Sequence, residues 1–256
     1  MNDYFNFRFM GVASAMLFCC SAVQADGISD LKAALNRLQG QANVKAVLEV
    51  KNTHIQGAGS DAVETNGQIQ VNIEDGTRGM LVHYSKDTLS KLDQEAKARS
   101  KNKESKTPTR NATAELSSDE TQMMLSAVNS LQRQIEEASF KGEKVDQYNG
   151  KAARLLSFAF GMERLSNKDK KYIKSFESQL DVWIGPDGAP MASRLLERGS
   201  GRAFIVVSFQ LNAEQHNVYQ VLGDRLLIVR RESKSQSSGA GERADTKVIK
   251  TLQLLS

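Results

Sequence analysis

The sequence predicts an α+β fold in which one antiparallel β-sheet is covered by a few helices. The second half of the chain alternates short apolar strands with turn-forming residues, at the spacing of an antiparallel meander. Apolar residues at helical spacing occur instead near residue 30 and over 118–139, outside that meander. Helices and strands are therefore segregated along the chain, as an α+β fold requires.

The composition is that of an ordinary globular protein with one large or two small domains. The chain has 256 residues, of which 40% are hydrophobic and 25% charged, so it can bury a core. Its formal net charge is +4 and its aromatic content is 6%. A dedicated nucleic-acid-binding protein carries a stronger basic signature, so we expect no nucleic-acid partner.

Residues 1–25 have the composition of a cleavable export signal. Arg8 is followed by an uncharged stretch of mostly small or apolar residues. The apolar part is shorter than the roughly 18 residues of a membrane-spanning helix, which favours a signal peptide over an anchor. Val23 and Ala25 fit the −3 and −1 sites of a leader-peptidase cut. We therefore expect a periplasmic mature protein that begins at Asp26.

Both cysteines of the chain, Cys19 and Cys20, lie in this leader. A lipid-modified cysteine follows a small residue, but Phe18 precedes Cys19 and Cys19 precedes Cys20, so lipidation is the less favoured alternative. Cleavage leaves a mature chain without cysteine. Its stability is then expected to come from core burial and not from disulfides.

The first half of the mature chain predicts one helix and three strands. Leu31, Leu35 and Leu38 have helical spacing, and strict alternation begins at Val44. Two strands follow, at 67–73 and 79–84. A weaker helical pattern then fades into residues 97–118, which hold six bases, two acids and few apolar residues. This segment is predicted to be a disordered basic loop.

The second half predicts a long helix and a series of strands. Ser117 to Glu120 form a capping box, which starts a helix over 118–139. Turns are predicted at 185–188, 199–201, 212–214 and 223–224, and a longer loop at 233–245. The predicted strands are 145–148, 153–160, 179–184, 191–197, 202–211, 217–222, 225–231 and 246–254.

No catalytic, metal or cofactor site is predicted. His54, His83 and His216 have no cysteine partners and no metal-ligand spacing. No serine lies in a Gly-x-Ser-x-Gly turn, and the adjacent acids Glu136 and Glu137 fall on different helix faces. We therefore predict a protein that is not an enzyme. Polar side chains converging in a pocket would reopen that possibility.

Two surfaces are predicted to bind partners. The strand at 202–211 is apolar on both faces, so both need cover. We expect the 118–139 helix to enclose an apolar cavity on one side, although methionines at helical spacing are also common in solid cores. Its predicted lining is Met123, Met124, Val128, Leu131, Ile135, Trp183, Phe204 and Val206. The bases predicted to contact an anionic surface, with a solvated linker as the alternative, are Lys101, Lys103, Lys106 and Arg110.

The order of these elements resembles the periplasmic LolA/LppX-like half-barrel carriers of lipids and lipoproteins. The residues that carry the resemblance are 31–38 followed by 44–50, and the stretch 180–190. It implies a curved antiparallel sheet, a half-barrel, with two to three helices packed on or plugging its concave face. Lipid or acyl chains would occupy the apolar interior. The chain departs from the family in its 97–118 segment, and no family residue is carried over.

The leading hypothesis is therefore an exported, non-enzymatic carrier of a lipid-like or other apolar ligand, in a half-barrel spanning residues 26–256. The alternative is an envelope scaffold or assembly factor that binds a protein partner through an exposed sheet edge. An apolar hollow beside the 118–139 helix would favour the carrier. A filled interior would favour the scaffold.

Overall fold

The computed structural model describes residues 26–203 and 207–255 of the chain, without the side chains of Ala203 and Val207. The helices are α1 (Gly27–Arg37), α2 (Lys86–Lys101), α3 (Pro108–Thr113), α4 (Ser118–Leu125) and α5 (Val128–Glu137). The strands are β1 (Val44–Gln56), β2 (Val63–Gly76), β3 (Gly79–His83), β4 (Ser139–Tyr148), β5 (Lys151–Phe160), β6 (Ile173–Ile184), β7 (Pro190–Ala203), β8 (Val207–Leu222), β9 (Arg225–Gly239) and β10 (Glu242–Leu254). No helix among the described residues is long and apolar enough to cross a membrane.

All ten strands form one open antiparallel sheet in the order β3-β2-β1-β10-β9-β8-β7-β6-β5-β4. Two meanders, β1 to β3 and β4 to β10, are joined where the last strand pairs with the first. That pairing runs from Ala46 opposite Leu254 to Gln56 opposite Ala244. The predicted α+β fold with an open antiparallel sheet is confirmed, but the described residues form five α-helices where two to three were predicted.

The two faces of the sheet differ in character. On one face, apolar side chains such as Leu48, Ile73, Leu180 and Leu252 pack with the helices into a single core. We call it the helix-covered face. Successive side chains of a strand point to opposite faces of the sheet. The residues between the apolar ones therefore lie on the other face, which we call the open face, and they are mainly polar or charged.

Helix α1 packs on the helix-covered face through its leucine stripe. Asp26 caps the helix, since its carboxylate accepts a hydrogen bond from the Ile28 amide at 3.1 Å. Leu31 and Leu35 are fully buried. Gly188, with φ at +78°, lies so close to α1 that an added Cβ would be 2.4 Å from the Asp30 carbonyl oxygen. The tight turn before β7 therefore needs a glycine.

The predicted 118–139 helix is two helices, α4 and α5, separated at Ser126 and Ala127. The Ala127 amide donates to the Leu226 carbonyl of β9 at 3.0 Å. This bond replaces a helical one, so the sheet itself breaks the helix. Buried cations of the sheet also hold α4, because Glu120 pairs with Lys250 and, at 3.2 Å, with Arg231.

Residues 97–118 were predicted to be a disordered loop, but they contain the end of α2 and all of α3. The Glu95 carboxylate accepts hydrogen bonds from the Thr109 and Arg110 amides, both at 2.9 Å. Pro108 occupies the first turn of α3, where a missing N–H costs nothing. The prediction was wrong because it used only the composition of the segment, and composition does not show that a residue 14 positions away caps the helix.

Three predicted connections lie inside strands. The predicted turns at 199–201 and 212–214 belong to β7 and β8, which pair with each other as far as Ala203 and Val207. The predicted loop at 233–245 is the end of the β9–β10 hairpin. Its turn residues, Ala240 and Gly241, have φ of 56° and 83°, as a two-residue type I′ turn requires. Strand pairing in these long hairpins thus outweighs the turn-forming tendency of individual residues.

Arg225, at the start of β9, ties four parts of the chain together. Its side chain is 4% exposed and forms an ion pair with Asp75 at the end of β2. The guanidinium also donates to the Leu125 carbonyl at 2.6 Å and to the Ala42 carbonyl at 2.9 Å. These three acceptors satisfy the buried guanidinium, so the charge is stable in the core.

Replacing Arg225 with methionine is expected to lower the free energy of unfolding by about 3–5 kcal/mol, because Asp75 would be left buried without its partner. Denaturant titration followed by circular dichroism measures this. The matched control is Arg37→Met, which removes an exposed ion pair with Asp187 and is expected to cost less than about 1 kcal/mol. Equal effects of the two changes would contradict the role given to Arg225.

Candidate functional site

The residues predicted to line an apolar cavity are not brought together. Met124, Val128, Leu131 and Ile135 are packed into the core, each at most 7% exposed. Met123 is half-buried, and its sulfur accepts a hydrogen bond from Arg231 at 3.1 Å. Three cavities, of about 750, 610 and 300 Å³, are lined by none of these five residues.

The other three predicted lining residues lie elsewhere. Trp183 is on the open face. Along β6 its side chain points to the same side as that of Asp181 and to the opposite side from the buried Val182. It is therefore separated from the α4 and α5 residues by the thickness of the sheet. Phe204 and Val206 lie outside the described residues. The four bases predicted to meet an anionic surface, Lys101, Lys103, Lys106 and Arg110, are all exposed around the end of α2 and the start of α3.

The open face carries a cleft with convergent polar side chains. One part, of about 300 Å³, is lined by Trp183, Arg194, Glu214, His216, Glu232 and Lys234. A second part, of about 610 Å³, shares Glu214 and Lys234 and extends across β9 and β10 to Thr53 and Ile55 of β1. We call the two parts together the polar cleft. It is formed entirely by strands, so its geometry follows from the sheet.

Glu232 lies at the centre of the charges in the polar cleft. Its carboxylate contacts Arg230 at 3.0 Å, Lys234 at 3.2 Å and Lys247 at 3.3 Å. Burial raises the pKa of Glu232, but the hydrogen bonds from these cations outweigh it and hold the pKa below its ordinary value. The cleft therefore presents fixed charges of both signs, a surface suited to a ligand that also carries both.

A second buried carboxylate positions the arginine of the cleft. Asp181 has a side chain only 3% exposed and accepts hydrogen bonds from Ser157, Gln179 and Arg194 at 2.8–2.9 Å. Burial raises the pKa of Asp181, but the hydrogen bonds from these three donors together have the larger effect. The pKa of Asp181 therefore lies below its ordinary value. The Arg194 guanidinium lies 5.9 Å from the centre of the Trp183 ring, within cation–π range. Arg194 is thus held as a wall of the cleft.

The β4–β5 hairpin brings an aromatic side chain over one end of the polar cleft. The Tyr148 ring lies 5.7 Å from Trp183 and 6.1 Å from His216, and its hydroxyl is 3.3 Å from Nε2 of His216. In a flat sheet, β4 and β8 would be about 19 Å apart. The sheet therefore curls towards its open face here. The predicted curvature is confirmed, but the concave side at this end is the open face, whereas the helices were predicted to pack on the concave face.

One of the two edge strands of the sheet, β4, runs directly into this cleft; the other edge strand is β3. In the described part of the chain, β4 pairs with β5 alone. Val145, in the middle of β4, is 90% exposed. A bulge interrupts the register between Phe140 and Gly142, and pairing is regular from there to Tyr148. Asp146 of the same strand accepts the indole N–H of Trp183 at 3.0 Å, so edge and cleft are joined.

Sequence reasoning missed most of the polar cleft. Trp183 was singled out, but for the apolar interior. Arg194, His216 and Glu232 come from three strands, and only the sheet register places them side by side. The available signal was charge at every second position, as in Glu232 and Lys234, which marks a polar face without showing that the face is concave.

Comparison with known proteins adds one structural likeness. No protein-family model matches the chain, and no curated protein matches it. The crystal structure of MucB in complex with MucA(peri) matches with 10% sequence identity and a TM-score of 0.26, covering 89% of this chain and 93% of that one. This TM-score is far below that of a shared fold, so neither fold nor partner is transferred.

Trp183 is the sole tryptophan of the chain, and its fluorescence is expected to report the protonation of His216. Burial lowers the pKa of His216 below its ordinary value of 6.5, more than Glu232 and Glu214 raise it. Protonated imidazole quenches a nearby indole, so the emission should fall as pH decreases, with a midpoint below 6.5.

The control is His83→Gln, which changes a histidine of the separate cavity beside α2 and should leave the titration unchanged. His216→Gln should abolish it. Because the lowered pKa belongs to the folded state, the unfolded chain binds the proton more readily, and stability should fall as pH decreases through 6.5. A midpoint above 6.5, or a titration that survives in His216→Gln, would contradict the arrangement around Tyr148.

Proposed function

We propose that the protein is an exported, periplasmic, non-enzymatic binding protein that holds an extended segment of a partner polypeptide. The segment would pair with the free edge of β4, and its side chains would enter the polar cleft. One observation carries the proposal: the unpaired strand edge and the cleft meet at Asp146 and Tyr148. Strand addition of this kind takes affinity from main-chain hydrogen bonds and specificity from side-chain pockets.

The chemistry of the surface favours a polypeptide over a lipid. The α4 and α5 side chains predicted to surround an apolar ligand fill the core instead. The polar cleft offers Arg194 and Lys234 beside Glu214 and Glu232, and a peptide segment can carry complementary charges of both signs. An acyl chain would remove water from these charged groups and offer them no hydrogen bonds in return.

The edge of β4 is selective as well as open. The bulge at Gly142 and the side chains of Lys141 and Lys144 are features that discourage indiscriminate pairing of edge strands. The stretch after the bulge, centred on the exposed Val145, is the part left available. A partner would need a strand that matches this short stretch and tolerates the two lysines.

Catalysis is not the function that the cleft favours. A general acid needs a raised pKa, whereas the pKa values of Asp181 and Glu232 are lowered by their cationic and hydrogen-bonding partners. Both carboxylates accept several hydrogen bonds within the fold. They serve better as fixed charges that position Arg194 and the lysines than as groups that exchange protons with a substrate.

Site-specific photo-crosslinking tests the proposal. Benzoylphenylalanine at position 145, in the full chain produced in its native host, is expected to give a discrete adduct that mass spectrometry identifies as one polypeptide. The change should be tolerated because Val145 is 90% exposed. Adding Tyr148→Ser should lower the adduct yield about tenfold, because one aromatic wall of the cleft is lost.

The matched control places the same photoreactive residue at Val63, which is 63% exposed at the start of β2. No discrete adduct is expected there. Lipid adducts at position 145, or the same polypeptide captured equally well from position 63, would rule out strand addition at β4.

A further inference from the structure

Helix α2 leaves apolar side chains in contact with solvent. Leu89, Leu92 and Ala96, three and four positions apart, form one stripe along the helix. Leu89 is 52% exposed, Ala96 is exposed and Leu92 is half-buried. We call these three residues the outer stripe. A helix that packs on its own core has the opposite arrangement.

The side of α2 that faces the sheet is polar. Asp87, Lys91 and Gln94 line the cavity of about 750 Å³ between α2 and β2. Among the described residues of α2, Thr88 alone is buried. The helix is held at its start by the Ser85 cap and further along by Glu95, whose carboxylate caps α3. These bonds fix α2 with Leu89 and Ala96 towards solvent, while Leu92, one turn after the buried Thr88, lies at the half-buried border of the outer stripe.

The same region holds the positive charge of the protein. Residues 86–110 contain eight bases and four acids, an excess equal to the formal net charge of +4 of the whole chain. Asp87 and Asp93 are neutralised within the helix by Lys91 at 2.7 Å and Lys97 at 2.6 Å. The excess is thus concentrated beyond Lys97. The exposed bases there are Arg99, Lys101, Lys103, Lys106 and Arg110.

We propose that α2 and the basic residues after it form a contact surface for an anionic lipid bilayer. An exposed apolar stripe beside a concentration of lysine and arginine is the composition of a helix that lies in the headgroup region. The outer stripe would enter the acyl boundary, while the bases meet lipid phosphates. A polypeptide partner is the competing occupant, but the charge excess matches a uniformly anionic surface. This contact is separate from the polar cleft and from β4.

Vesicle co-sedimentation tests the contact with residues 26–256 as purified protein. Vesicles of equimolar phosphatidylcholine and phosphatidylglycerol should bind it, whereas pure phosphatidylcholine vesicles should bind it far more weakly. Lys101→Gln with Lys103→Gln should weaken binding about 30-fold, from the loss of two charges near the surface. Leu89→Asp should weaken it about tenfold or more, because a leucine no longer enters the bilayer. Raised salt should also weaken it.

Matched controls separate these effects from general charge and exposure. Lys170→Gln with Lys171→Gln removes two exposed bases of another short helical turn, and Val63→Asp places an acid at an equally exposed apolar position. Neither should change binding. Equal binding to both vesicle types, or binding that Leu89→Asp leaves intact, would overturn the proposal. So would self-association that Leu89→Asp abolishes without any vesicle binding, since the outer stripe would then join two copies of the chain.

Discussion

The pairing of β1 with β10 is the interaction on which the rest of the structure depends. It joins residues about 200 positions apart in sequence, 44–56 and 242–254, and turns two separate meanders into one sheet. Without it, neither meander could cover the helices, because the core is shared between Leu48 and Ile73 of one and Leu180 and Leu226 of the other. Buried cations then secure the junction: Arg225 reaches back to Asp75 of β2, and Lys250 of β10 holds α4 through Glu120.

The different character of the helix-covered face and the open face follows from that single sheet. Four of the helices pack on the face where every second residue is apolar. Most of the opposite face is therefore left to water and can carry charge. The curl that brings Tyr148 of β4 to His216 of β8, across the three strands between them, makes part of this face concave. A concave, charged surface therefore arises without a loop or an added domain, from alternation along strands and from the bend of the sheet.

The sequence predicted the parts of the fold that local patterns control. The leucine stripe of α1, the alternation in β1 and the antiparallel meander of the second half were predicted close to where they occur. The errors have a common physical cause, which is that distant partners override local preference. Glu95 orders α3 from outside it, the Leu226 carbonyl divides α4 from α5, and long hairpins carry Gly199 and Asn212 inside strands. The polar cleft was missed for the same reason, since register and curvature assemble it from Trp183, His216 and Glu232.

The attachment of α2 has a mechanical consequence. Most of its length rests above a polar cavity, and Thr88 is its one deeply buried side chain in the described structure. Elements with little apolar burial open at low free-energy cost, whereas those rooted in the core open only with the whole domain. Opening of α2 is therefore expected at a lower free-energy cost than opening of α1, α4 or α5, which are packed in the core. The domain thus combines a rigid sheet and core helices with one helix that can change position without unfolding of the rest.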